Sequence, residues 1–375
     1  MALPQGVGAP AASSRIAWVD LVKACSVLLV VQMHFVQMLV AAHTTAITGF
    51  WQIYIQVMEP LRMPIFFVVS GMVAASALSR DWRSNRRRTL GVGYLYVLWS
   101  VLLLGLLALV SMEPTPSLGE LLTEIPAVLA FPTDGYWYLL ALLAFFVLAK
   151  LTRRYPAWLV VGVAAVPALF RVATLEFVDW AAEPVHSPGM LASLPLNLVF
   201  FLIGARMRDL VAGLASKANW ALVLVFGSAA LWLSVAKIQS QNEWGVNALP
   251  TSLLWVATGV MAAALLIRSS GVRRFGAYLG ARTLPIFVLQ FPILVLAREF
   301  LAITGPSPLA SPFVQVLFPL LTTAATVAVA LAIHRLCQKP ALSWLFRAPN
   351  QLLEPGSLTA PTLRKEPAVV QVPAR

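Results

Sequence analysis

Two short stretches carry groups that hydrocarbon disfavours. DLVKACSVLLVVQMHF, residues 20–35, is apolar enough to cross a bilayer, yet it holds Asp20, Lys23 and His34. On a helix at about 100° and 1.5 Å per residue, Lys23 and His34 project within about 20° of each other, and Asp20 within about 40° of His34. The three form one stripe spread over about 21 Å of depth. MEPLRMPIFFVVSGMVAAS, residues 58–76, adds Glu59 and Arg62 ahead of a long apolar run. Ionisable groups in such segments face the bundle interior or a water-filled cavity and mark a pathway or a reaction site. An imidazole can take a proton from a hydroxyl or carry a group transiently. A nearby acid orients the ring, and a guanidinium steadies a developing oxyanion. If the two helices run in opposite directions, His34 and Glu59 lie about 10 Å below one surface and Arg62 about 15 Å below it, within one layer. His34, Glu59 and Arg62 are therefore the candidate catalytic residues. Plainer accounts stay open: Asp20 and Lys23 as a snorkelling pair, His34 as a structural histidine, Glu59 and Arg62 as a self-satisfied pair.

The elements that must position these groups follow from composition. Of 375 residues, 59% are hydrophobic and 11% charged, whereas soluble domains run near half apolar and a quarter charged. About ten apolar spans approach the roughly 20 residues a membrane helix needs: 17–42, 52–79, 90–112, 134–150, 156–173, 190–207, 219–239, 249–268, 283–303 and 312–336. The fold class is all-α, a polytopic membrane bundle. Alternate connections collect eighteen Lys and Arg, from Arg80 through Arg347, while the opposite set is mostly acidic. Positive charge stays in the cytoplasm, which places both termini there. The net charge of +12 is this topology signal, so nucleic acid drops out as a partner and the lipid bilayer takes its place. The first span reads as an uncleaved helix rather than a signal peptide. Residues 1–14 read as a short cytoplasmic segment, 15–347 as the membrane domain, and 348–375 as a disordered cytoplasmic tail. Residues 118–131 read as a short amphipathic helix on the outer face. Ser70, Gly71 and Ala75 would let another helix approach closely. Cys25 and Cys337 suggest neither a disulfide framework nor a zinc site, and no metal-ligand cluster or Gly-rich phosphate loop is present.

At these residues the sequence resembles the acyltransferase 3 family of membrane acyltransferases. That family typically opens its first helix with an acidic residue, a basic residue three later, then ten residues and a histidine, which here are Asp20, Lys23 and His34. Lysine in the second place is similar to a subgroup related to fucose 4-O-acetylases. So are Arg62-Met63-Pro64, Phe66-Phe67 and Ser70-Gly71, followed by the basic loop ending in Arg86-Arg87-Arg88. GYWYLLALL, residues 135–143, LVFFLIGARM, 198–207, and QKPALSWLF, 338–346, resemble further family segments. TLPIFVLQFPIL, 283–294, departs from the pattern, with Gln290 where the family often carries histidine; an amide can hold a hydrogen bond but cannot take a proton.

The resemblance implies an O-acyltransferase of a cell's inner (plasma) membrane. It would move an acyl group, usually acetyl, from cytoplasmic acyl-CoA to a hydroxyl of a sugar or glycoside, with acyl-CoA as donor substrate and no permanently bound cofactor. Lys23, with Asp20 beside it, would meet the donor, and Arg86, Arg87 and Arg88, with Arg206 and Arg208, would face its phosphates; topology also accounts for these arginines. Tyr136, Trp137 and Tyr138 by the outer surface would stack on a sugar, or form an aromatic belt. Asp134 and Gln290 complete the substrate-binding candidates. Two rivals come from other classes. A secondary transporter would use Asp20, Lys23 and His34 as a proton relay, although the repeated halves such proteins often show are absent. A structural subunit with a decayed site would explain Gln290.

Overall fold

A computed structural model describes residues 16–110, 116–130, 135–170, 188–240 and 248–353. Among them every regular element is helical. The first is α1 (Ala17–Ala42) and the second α2 (Ala46–Leu78), followed by α3 (Trp82–Val110) and α4 (Leu118–Ala130). Then come α5 (Trp137–Leu151), α6 (Ala157–Leu169), α7 (Pro188–Arg206) and α8 (Arg208–Ser216). The chain continues through α9 (Trp220–Ser240), α10 (Ala248–Leu266), α11 (Ser270–Gly280), α12 (Thr283–Thr304) and α13 (Pro312–Leu336).

Ten of these coincide with the apolar spans of the sequence. Seven (α1, α2, α3, α9, α10, α12 and α13) are long and apolar enough to cross a membrane. α5 and α6 are shorter, as is the Ser193–Arg206 stretch of α7, so among the described residues length and composition single out seven spans where the sequence offered ten. The protein is a multi-pass membrane helical bundle. Lipid-facing surface explains the many large apolar side chains left exposed, such as Trp158, Leu224, Trp232 and Ile303.

Two contacts fix the frame around the polar stripe. α2 packs chiefly on α7. A Cβ placed on Gly71 would collide with the backbone of Phe201 and Ala205, and one on Gly204 with the backbone of Val68 and Met72. The two backbones therefore touch, the close approach that small residues permit in membrane helices. α11, which lies in one of the basic connections between apolar spans, is the second brace. Its Gly276 and Gly280 lie against Leu21 and Asp20 of α1. The buried Asp20 holds Lys23 at 3.3 Å from this pinned turn.

Prolines inside the helices are the third device. A proline lacks N–H and frees the carbonyl four residues earlier, and neighbouring groups must then satisfy that carbonyl. Pro292 frees Val288, whose oxygen accepts the Tyr136 hydroxyl at 2.8 Å. Pro319 frees Gln315, whose oxygen accepts the Trp51 indole N–H at 3.0 Å. In both cases the break in one ladder becomes a bond to another segment. α4 lies at the surface with no buried residue, held to α3 by the Tyr96 hydroxyl donating to the Leu129 carbonyl at 2.8 Å. Of the expected tail, residues 350–353 form a short helix; residues 354–375 and 1–15 lie outside the described residues.

Candidate active site

On α2, Arg62 lies between Pro60 and Pro64, and Glu59 immediately precedes Pro60. Both prolines interrupt the hydrogen-bond ladder and both line a cavity of about 220 Å³. His34 of α1, Glu59 and Arg62 of α2, and Trp137 and Tyr138 of α5 line it too. α7 contributes Asn197, α9 Lys237, α10 Ser252 and α12 Phe287 and Phe291. The three candidate catalytic residues therefore share one chamber inside the bundle. The His34 ring is braced edge-on by Phe291 at 5.2 Å between centroids. A second, larger cavity of about 900 Å³ also touches His34 and runs toward the end of the bundle where α1 finishes, past Gln37, Ala41 and Arg298.

Arg62 is only 8% exposed, and one guanidinium nitrogen, Nη1, has no hydrogen-bond partner. Asn197 Oδ1 and Ser252 Oγ are likewise buried without partners, on two other walls of the same chamber. Buried polar groups are ordinarily satisfied, so three unsatisfied ones around a single cavity leave hydrogen-bonding capacity facing it. Glu59 pairs with Lys237 at 3.5 Å. No hydrogen bond joins Glu59 to His34 among the described residues; the acid shares the chamber with the ring, and its ion-pair partner comes from α9. Lys237, Asn197 and Ser252 were missed in the sequence, because no spacing within their helices marks them and only contacts between helices bring them together.

A separate cavity of about 190 Å³ opens at the basic end of the bundle. Lys23, Ser70, Arg88, Thr89 and Tyr138 line it. Arg88 also donates to the Val73 carbonyl at 3.4 Å and lies 5.2 Å over the Phe146 ring. Arg86 and Arg87 are exposed on the first turns of α3. Arg206 is occupied otherwise: its guanidinium donates to the carbonyls of Thr152, Arg153 and Tyr155. Lys150 likewise donates to the carbonyls of Leu78 and Arg80.

The aromatic trio splits by depth. Trp137 lines the His34 chamber, Tyr136 is buried by its bond to Val288, and Tyr138 stands deeper than an outer belt, between the two cavities. The physical reason is that α5 has only 15 residues and begins inside the bundle, at the Tyr136 anchor. Gln290 is 2% exposed, with both amide atoms unpartnered, and it is not among the residues lining the chamber. Asp134 lies outside the described residues. Among the described residues no cluster of three or more His, Cys, Asp and Glu gathers to hold a metal ion.

No curated protein and no solved structure matches the chain. Residues 16–335 match the family model Acyl_transf_3, described as an acyltransferase domain. That match spans most of the chain and takes in the chamber and both of its neighbouring cavities, so the protein belongs to the acyltransferase 3 family and is a membrane acyltransferase.

Proposed function

We propose that the protein is an O-acetyltransferase of the plasma membrane. It takes acetyl from acetyl-CoA at the basic end, the cytoplasmic side, and gives it to a hydroxyl of a sugar or glycan entering from the other face. The single observation that supports this reading best is the meeting of His34, Glu59 and Arg62 in one chamber between two cavities. The basic rim suits the phosphates of CoA: Lys23 and Arg88 line the cavity there, with Arg86 and Arg87 outside it. Arginine and lysine bind such groups through charge-assisted bonds.

In the reaction His34 accepts the proton of the acceptor hydroxyl as its oxygen attacks the thioester carbonyl. A C–O bond forms, and the carbonyl electron pair moves onto oxygen, where Arg62 donates to it. Collapse re-forms the carbonyl and breaks the C–S bond. The CoA sulfur leaves with the electron pair and takes back the proton from the imidazolium. Glu59, tied to Lys237, keeps the chamber's net charge low around Arg62. Asn197 and Ser252 offer the acceptor hydrogen bonds from two further walls.

The test is purified protein in lipid nanodiscs with radiolabelled acetyl-CoA, comparing wild type with His34→Ala. CoA release that disappears in the variant supports the assignment. Equal release from both removes His34 from the chemistry. Proton-coupled uptake into vesicles without CoA turnover overturns the enzyme reading in favour of transport.

A further inference from the structure

The His34 chamber and the basic-end cavity have one lining residue in common, Tyr138. On two other helices they come within about a helical turn of each other. On α2 their linings are separated by the step from Pro64 to Phe66, and on α12 by the step from Thr283 to Phe287, about 6 Å. The wall between them is therefore about one aromatic ring thick. The Tyr138 ring is packed edge-on against Phe66 at 4.7 Å and against Phe287 at 5.0 Å, with Phe67 at 5.2 Å. A single hydrogen bond links its hydroxyl to Ser70 Oγ, at 3.3 Å, longer than the usual hydroxyl–hydroxyl bond and so weak. Ser70 itself lines the basic-end cavity.

Along α1, Lys23 and His34 are eleven residues apart, about 16 Å. A thioester whose phosphates stay at Lys23 and Arg88 must send its acyl tip that far, and the direct way leads past Tyr138. We propose that Tyr138 is a specificity-determining partition. At rest it seals the His34 chamber from the basic-end cavity, and on swinging off Ser70 it opens a throat narrower than an aromatic ring, which passes a slender acyl group and refuses a bulky one. This rests on the donor entering from the basic end, as in the reading above. The substrate class is thus narrowed to thioesters with short, unbranched acyl groups. The same closure keeps water from the basic end away from the reacting carbonyl, where hydrolysis would compete with transfer.

Two measurements test the partition. The first compares benzoyl-CoA with acetyl-CoA. Wild type should favour acetyl-CoA at least 100-fold in kcat/KM; Tyr138→Ala should narrow that ratio tenfold or more and raise acceptor-independent CoA release, while Tyr138→Phe, which keeps the ring, should keep the preference. A ratio unchanged in Tyr138→Ala, with both donors slowed alike, would mean that the residue is only structural and overturns the proposal. The second measurement does not depend on catalysis. His34→Cys, in a chain with Cys25 and Cys337 replaced by Ser, is labelled in proteoliposomes with a charged, impermeant methanethiosulfonate. Labelling should come from the face where α1 ends, and from the basic face only when Tyr138 is also Ala. Labelling from the basic face with Tyr138 intact overturns the seal. If wild type releases no CoA at all, the acetyltransferase reading fails and the labelling alone decides the partition.

Discussion

The basic end of the bundle and the His34 chamber both hold cations, and they treat them oppositely. At the basic end Lys150 and Arg153 bind the last carbonyls of α2, and Arg206 binds three carbonyls beyond α5. These side chains close helix ends, where four carbonyls lack partners in the ladder. In the chamber, Arg62 keeps a nitrogen without a partner, and Asn197 and Ser252 add unpartnered oxygens. The difference teaches that a buried cation bonded to carbonyls is part of the scaffold, whereas one facing a cavity with hydrogen-bonding capacity left over is available to a substrate.

Substitutions can break that contrast or sharpen it. His34→Ala should have the largest effect, lowering acetyl transfer about 10²–10⁴-fold, the range for loss of a general base, with thermal unfolding unchanged. Arg62→Met should lower kcat about 10²-fold, as for loss of an oxyanion donor; a rise in KM alone would show that Arg62 binds the ground state. Lys150→Met should do the reverse, lowering stability by about 1–3 kcal/mol while turnover per folded molecule holds. Activity lost without stability would place Lys150 with the chamber groups. Lys237→Met should matter less, below about 1 kcal/mol, because its pair with Glu59 is partly exposed and therefore screened. The smallest effect is at the exposed start of α4. There the backbone N–H and hydroxyl of Ser117 both donate to Glu120, at 2.7 and 2.8 Å, and hold its carboxyl below the usual range. A lowered carboxylate contributes its stabilisation fully above the unfolded value and loses it as pH falls through the folded one. The protection factors of the amides over residues 118–121, observed exchange corrected for the intrinsic rate at each pH, should therefore fall below about pH 4 and stay constant from pH 6 to 8.

Most of the architecture could be read from the sequence. Each of the ten apolar stretches contains a helix, and among the described residues seven of these are long and apolar enough to cross a bilayer, where hydrocarbon leaves the backbone no other way to satisfy itself. Residues 118–130 became the surface helix expected of them, and Gly71 proved to be a point of close approach, with α7 as its partner. α8 and α11 escaped because helices of 9 and 11 residues at the membrane edge carry too little apolar signal. Within the site, the shared layer of His34, Glu59 and Arg62 followed from helical spacing and opposite helix directions. The Lys237 partner and the unpartnered Asn197 and Ser252 did not, since contacts between distant helices leave no trace in local periodicity. The depth of Tyr138 was hidden for a related reason. It depends on a proline-freed carbonyl on α12 that anchors Tyr136, and nothing in the Gly135–Leu143 stretch announces it.

Where Gly71 and Gly204 meet, no side chain lies between α2 and α7 to change rotamer or give way. Sliding or rolling one helix on the other would drive main chain into main chain, so the two travel as a single rail. That rail carries Arg62, Ser70 and Asn197, and with them the fixed half of the reaction path. Whatever yields to let a thioester through must belong to the opposing half, where the Tyr138 ring on the short α5 is the latch on the door frame.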